Sequence, residues 1–504
     1  MFALGLIVCL AGAGLALSGG SDTAGAVVFP PVQSPADPPG VQHLHYQVGP
    51  LHIRAGQNII EFTNNQIPKP TVDGWITGIR PNIHLPDGTV PGVDVIHLHH
   101  GVWLNTSASD TTVPVLPQRF YAAGEEKTAL QFPPGYGYRF HATDQWIINY
   151  MIHDLVDQPY DLYIDYDLDF VPLSSGTTLA DAKPIWMDVQ NGSIYPVFDV
   201  HRKSGSGGRF RYPDQATTPY PNGVALNQWT VPADGVLIGA GGHLHPGGLF
   251  NDLWVDRTLP TAKVKAKHLF RSRAYYYEPA GAVSWDVSMG VTNPDWRPQL
   301  KAGDRLRTTV TYNSGRASWY ESMGIMVLWY VPGQTGTDPY AVRSFDWKSD
   351  HLTHGHLAEN DNHGGGVDPD LPNPMKLPNG PLTTQVDIIN YEYEPTDLDL
   401  ATQVPTVAAG QPLRFSNLDA PASGYGTWHS ITSCKAPCNK STGVAYPLAD
   451  GAVEFDSGQL GNYGQPTSGQ LTWDTPANLA SGTYTFFCRV HPFMRGAFRV
   501  VPGA

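Results

Sequence analysis

"YDLYIDYDLDFVP" (Tyr160–Pro172) sorts its residues by parity. Leu162, Ile164, Tyr166, Leu168 and Phe170 fall on one side; Asp161, Asp165, Asp167 and Asp169 fall on the other. A period of two places each set on its own face of an extended strand, whereas a helix would mix them. "DRLRTTVTYNS" (Asp304–Ser314) repeats the pattern, and similar short runs lie between Gly, Pro, Asn and Asp punctuation. Glycine (53) and proline (45) are abundant and charged residues make up only 15% of the chain, so long helices have little room. The predicted fold class is all-β. A chain of 504 residues exceeds what one core holds, so two to four domains are expected.

The formal net charge is −14 and no basic run occurs, which argues against nucleic acid and against anionic membrane surfaces as stable partners. The opening "MFALGLIVCLAGAGLALSGG" is apolar, with "AGA" at Ala24–Ala26 as a cleavage site, although no Lys or Arg precedes Arg54. Residues 1–26 read as a signal peptide or anchor, with export and removal favoured. The expected location is secreted or extracytoplasmic, in a periplasm or at a cell surface. Cys9 lacks the preceding small residues of a lipidation site. In the remaining chain, "SCKAPC" pairs Cys434 with Cys438 in a small-loop disulfide, leaving Cys488 alone. A free thiol in an exported protein is a liability unless something occupies it.

After a Pro-rich arm, a first β-sandwich is expected over residues 41–178. "SSGTTLADAKP" (Ser174–Pro184) marks the boundary to a second over 179–347. A connector over 348–384 carries His351, His354, His356 and His363 near Glu359 and Asp361. It reads as a polar loop folded over the interface in preference to a further metal site. The third β unit spans 385–504. No repeat of fixed period is visible.

Within that third unit, "YTFFCRVHPFMRG" (Tyr484–Gly496) spaces Cys488, His491 and Met494 as C-x2-H-x2-M. Thiolate, imidazole and thioether form a soft set that favours copper, and "GTWHSITS" supplies a second imidazole, His429. The bland alternative makes Met494 core filler and His491 a surface residue; four ligand types in order argue against it. The unit resembles the cupredoxins, and its loop is most similar to that of amicyanin, with plastocyanin-like proteins in the same group. The resemblance implies a Greek-key sandwich, one type 1 copper, and electron transfer through a more exposed His491.

The other histidines cluster as well. "VDVIHLHHGVWLN" holds His97, His99 and His100, and "GGHLHPGG" holds His243 and His245. The i, i+2 pair projects from one strand face. Adjacent His99 and His100 share a metal only where a strand ends or bulges. The order of these pieces resembles the copper type II, ascorbate-dependent monooxygenases, which include the peptidylglycine α-hydroxylating and dopamine β enzymes. That resemblance implies two tandem jelly-roll-like sandwiches over roughly His43–Pro332 and two type 2 coppers. One copper is implied at His99, His100 and His153. The other, catalytic, copper is implied at His243, His245 and Met323, where Met323 occupies the matching position and Met326 is its rival. Hydroxylation of a substrate C–H bond with O2 is implied, with the second electron supplied from the three-histidine copper and ascorbate as a candidate reductant. The expected partners are a small-molecule substrate and an external electron donor.

Two departures from that family stand out. No cysteine occurs between Cys9 and Cys434, so packing must replace the family's disulfides. Where the peptide-amidating enzymes grip a carboxylate, this chain has Gly241, Ile325 and Val327, which points to a less polar substrate. The expected function is therefore a secreted copper monooxygenase fused to its own electron donor. The rival is a non-enzymatic copper-binding or electron-transfer protein on an inactive scaffold. A multicopper oxidase or nitrite reductase ranks lower, because Phe487 and Arg489, not histidines, flank Cys488.

Overall fold

The computed structural model describes residues 37–193, 195–343, 345, 349–351, 365–422, 427–461 and 470–503. Residues 1–26, with Cys9, lie outside these, as do His354, His356, Glu359, Asp361 and His363. The described chain is nearly all β, with one four-residue helix, Asp419–Ala422, and two short 3-10 turns, Leu173–Ser175 and Pro447–Asp450. No helix among the described residues is long and apolar enough to cross a membrane.

The strand Tyr160–Pro172 runs as the parity pattern requires. Leu162, Ile164, Tyr166, Leu168 and Phe170 are buried; Asp161, Asp165 and Asp167 are more exposed on the other face, and Asp169 is buried there against Arg80 and His43. The strand pairs antiparallel with Gln42–Ile53 on one side and Gly74–His84 on the other. A second sheet runs Asn58–Phe62, Trp146–Asp154, Ile96–Ser109, Pro117–Gly124. The two sheets enclose Leu98, Trp103, Phe120, Trp146 and Phe170, and apolar burial of this kind is the main favourable term in holding them together.

The next region forms an eleven-stranded sheet, among whose members are Gly235–His243, Gly248–Thr258, Arg305–Asn313 and Ile325–Pro332. Val236, Ile238, Trp329 and Val331 of this sheet belong to the first core, and Trp329 packs on Phe132 at 4.7 Å. The core of the first sandwich thus continues into this sheet.

The C-terminal region has a six-stranded and a four-stranded sheet around Val386, Tyr393, Phe415, Ile431 and Phe486. Cys434 and Cys438 are disulfide-bonded. This region does not hang on its connector. Its Val444–Leu448 segment shares a core with Val283, Trp285 and Tyr312. Backbone hydrogen bonds run from Trp285 N to Val444 O (3.0 Å) and from Tyr446 N to Val283 O (2.8 Å). Arg489 is 5% exposed and completes the contact. It donates to Ser318 O and to Asp456 (3.2 Å) and lies over the Trp319 and Tyr320 rings.

Candidate metal centre

Strand geometry explains why Cys488 finds its partners. Cys488 follows the strand Gly482–Phe487, and His429 opens the strand His429–Cys434 beside it. The sulfur lies 3.8 Å from His429 Nδ1 and 3.7 Å from His491 Nδ1, and the two Nδ1 atoms are 3.0 Å apart. Backbone amides of Ser430 (3.3 Å) and His491 (3.4 Å) donate to the sulfur, which favours thiolate. Burial alone would raise the Cys488 pKa; the hydrogen bond and charge of His429 reverse that and lower it. His429 Nε2 donates to Asp419 (2.9 Å), which leaves Nδ1 for a metal. Met494 is 2% exposed and packs in the apolar cluster that holds Cys488.

His491 is not the more exposed ligand that the cupredoxin resemblance implies: it is 2% exposed. Its ring lies against Tyr391 (4.8 Å), and its Cδ2 edge faces Gly56 of the first sandwich, where a Cβ would stand 3.0 Å away. The docked first sandwich covers the edge that an isolated domain would leave open.

The other candidate ligand histidines meet between the first two sheet systems. In the strand Ile96–Ser109, His97 pairs across from His153 and His100 across from Met151, and the register shifts between Leu98 and His100. His99 is the extra residue of that bulge. The bulge lets His97, His99 and His100 all leave by the outer face, while Leu98 enters the core. Ligand nitrogens of His97, His99 and His153 lie within 4.8 Å of one another, and His245 stacks against His99 with ring centroids 4.2 Å apart. The expected partner His100 is not among the three whose ligand nitrogens lie within 4.8 Å, although its ring centroid is 5.9 Å from that of His99. His100 faces Tyr195 at 5.9 Å and lines a cavity of about 330 Å³ together with His243, Glu126 and Met323. Met326 lies in the core with Met187 and Leu253. The Tyr312 hydroxyl ties His245 to Met323: it accepts from both backbone amides (3.2 and 3.0 Å) and donates to Met323 O (2.8 Å).

Most of these imidazoles have one nitrogen held and the other free. His97 Nδ1 donates to Val93 O (2.8 Å), His153 Nε2 to Val490 O (2.7 Å), and His245 Nδ1 to Glu321 O. His243 Nδ1 meets Glu126 Oε2 at 3.1 Å. The opposite nitrogens, and both of His99, are buried without a hydrogen-bond partner. Outer acceptors that aim an unpaired nitrogen inward are the usual support of metal-binding histidines, and the donor set fits copper. Burial lowers the basicity of every ring in the trio, to about 4 for His153, so neutral, ligating imidazole is favoured.

Sequence reasoning passed over Glu125, Glu126, Asp419, Trp285 and Glu321. Trp285 caps the trio, 4.6 Å from His97. Glu321 holds a left-handed backbone (φ 54) and presents its carbonyl to His245. The one available signal was "GEEK" (Gly124–Lys127), two acids at a strand end in a charge-poor chain.

No protein-family model matches the chain, and no curated protein matches it either. Among solved structures it is similar to a point mutant of amicyanin in its oxidized state, at 18% identity over 24% of this chain and 82% of that one, with a TM-score of 0.15. A copper-containing nitrite reductase from Thermus scotoductus SA-01 overlaps at 12% identity, over 54% of this chain and 59% of its own, with a TM-score of 0.16. The infectious bursal disease virus VP2 subviral particle overlaps at 11% identity, over 62% and 78%, with a TM-score of 0.18. Overlaps at this level fix neither family nor activity; any functional reading rests on the residues of the site.

Proposed function

We propose that the chain is a copper oxidoreductase that hydroxylates a C–H bond of an apolar small molecule with O2, its C-terminal blue-copper region supplying electrons. The hydrogen bond from His153 Nε2 to Val490 O (2.7 Å) carries this reading. Val490 lies between the ligands Cys488 and His491, so one buried contact joins the blue site to the histidine trio.

Copper, when bound, supplies the one-electron steps and activation of O2. The protein's own residues do the rest. His429, Cys488, His491 and Met494 would hold one ion. His97, His99 and His153, with His245 alongside, would hold a second. His100, His243 and Met323 face the cavity and would hold a third where a substrate enters. The cavity wall is mostly apolar, with Val102, Leu104, Ile238 and Trp329 lining it alongside Gly241, Ile325 and Val327, while Arg119, Glu126 and Asn149 supply polar groups. Such a wall excludes water and favours a substrate without charge. An external donor, ascorbate among the candidates, would reduce the blue site.

Quantified EPR of the copper-loaded protein tests the reading. Three coppers per chain are expected, one with a blue signature and two with type 2 signatures. A single blue copper would overturn it. The rival, a copper-binding electron carrier without turnover, gains from the burial of His97, His99 and His153, each 1% exposed. Oxygen uptake by the reduced protein with an apolar C–H substrate separates the two: uptake supports the monooxygenase, and none supports the carrier.

A further inference from the structure

Glu125 and Glu126 follow the strand Pro117–Gly124 into the interior, 3% and 1% exposed. Both Glu126 oxygens are engaged, one by the Gly124 amide (3.1 Å) and one by His243 Nδ1 (3.1 Å). Neither Glu125 oxygen accepts a hydrogen bond from any other residue. Oxygens of both carboxylates and a ring nitrogen of His243 lie within 4.8 Å of one another. No Arg or Lys among the described residues forms an ion pair with either glutamate. Neighbouring Lys127 answers electrostatically to Asp286. Two adjacent carboxylates out of water repel each other and lose hydration, and only a proton or a cation removes that cost.

We propose that Glu125, Glu126 and His243 form a divalent-cation site beside the cavity, harder in character than the imidazole trio. Two carboxylates and one imidazole suit ions such as Mn2+, whereas Cu(I) prefers imidazole, thioether and thiolate. The site goes beyond the copper reading and shares with it only His243: Nδ1, which meets Glu126, would bind the cation in place of a proton, and the unpaired Nε2 would remain for copper. Gly124 permits the arrangement by having no side chain. A Cβ there would stand 2.5 Å from His243 Cε1 and 2.6 Å from His99 O, so the glycine lets the acidic turn close on the imidazole.

The test is Mn2+ titration of the full-length protein freed of metal, following the EPR signal of free Mn2+. One tightly bound Mn2+ per chain is expected. E125Q and E126Q should each weaken it at least tenfold, while E125D retains it. Unchanged blue absorption after copper is restored shows that the variants fold. If Glu125 is instead a protonated acid, E125Q mimics it and leaves Mn2+ binding unchanged; that result, or no tight Mn2+ in the wild type, overturns the proposal. Three coppers by EPR without a Mn2+ site would leave the proposed function standing and remove this site. A glutamate-dependent Mn2+ site with only a blue copper would do the reverse.

Discussion

Gly56→Ala is the sharpest probe of the docked interface. Gly56 has φ +64, and a Cβ there would lie 2.9 Å from Tyr391 Cε1 and 3.0 Å from His491 Cδ2. Two costs arise. A left-handed backbone for alanine costs about 1–2 kcal/mol. Forcing a methyl into contacts this short costs about 1–3 kcal/mol of overpacking. The sum is roughly 2–5 kcal/mol of stability. Gly88→Ala is the matched control, because Gly88 has φ +85 and open space around its Cβ position. It should lose only the backbone part, about 1–2 kcal/mol. Denaturant unfolding of both variants isolates the contact term as the difference. Under the proposed function, EPR of the blue site should change in G56A and not in G88A, since the added methyl presses on the His491 ring. Equal losses in the two variants, with identical blue-site spectra, would refute the account of His491 as an interface residue.

Other perturbations probe the remaining contacts. Asp110 accepts from the Arg119 guanidinium (2.9 and 2.7 Å) and from the amides of Thr112 and Val113. D110A should cost about 3–5 kcal/mol in unfolding experiments, because it strands a buried cation. Burial alone would raise the Asp110 pKa, but Arg119 and the amides hold it below its ordinary value. Its stabilisation is therefore complete above the unfolded carboxylate's pKa and is lost as pH falls through the lower folded one, and acid titration of D110N should lack that component. Met326→Leu should cost less than about 1.5 kcal/mol as a volume-conserving core swap, and Met323→Leu should lower the copper count of the cavity-facing group without a larger loss of stability. C488S should abolish the blue absorption while the type 2 EPR signals persist.

Much of this was legible in the chain. Strict parity in Tyr160–Pro172 leaves no other periodic reading, and Cys488, His491 and Met494 are spaced within one loop, so their meeting needs only local geometry. The grouping of the distant histidines was not. His99 and His100 look like one pair, but a one-residue bulge decides which ring joins His97 and His153, and bulges arise from cross-strand register. The buried glutamates were missed because two acids at a strand end ordinarily mark a solvated turn. The burial of His491 depends on Gly56, more than four hundred positions away, and no local pattern encodes that contact.

The backbone bonds that join Val283 and Trp285 to Val444 and Tyr446 bear on how electrons would be delivered. A donor stitched into its acceptor makes no encounter. Under the proposed function, delivery to the histidine trio is first order, indifferent to dilution and insensitive to salt. The net charge of −14 would slow two separate acidic proteins meeting in solution, but it never enters the step. The protein gives up the freedom to exchange donors and gains a transfer whose rate does not depend on its own concentration.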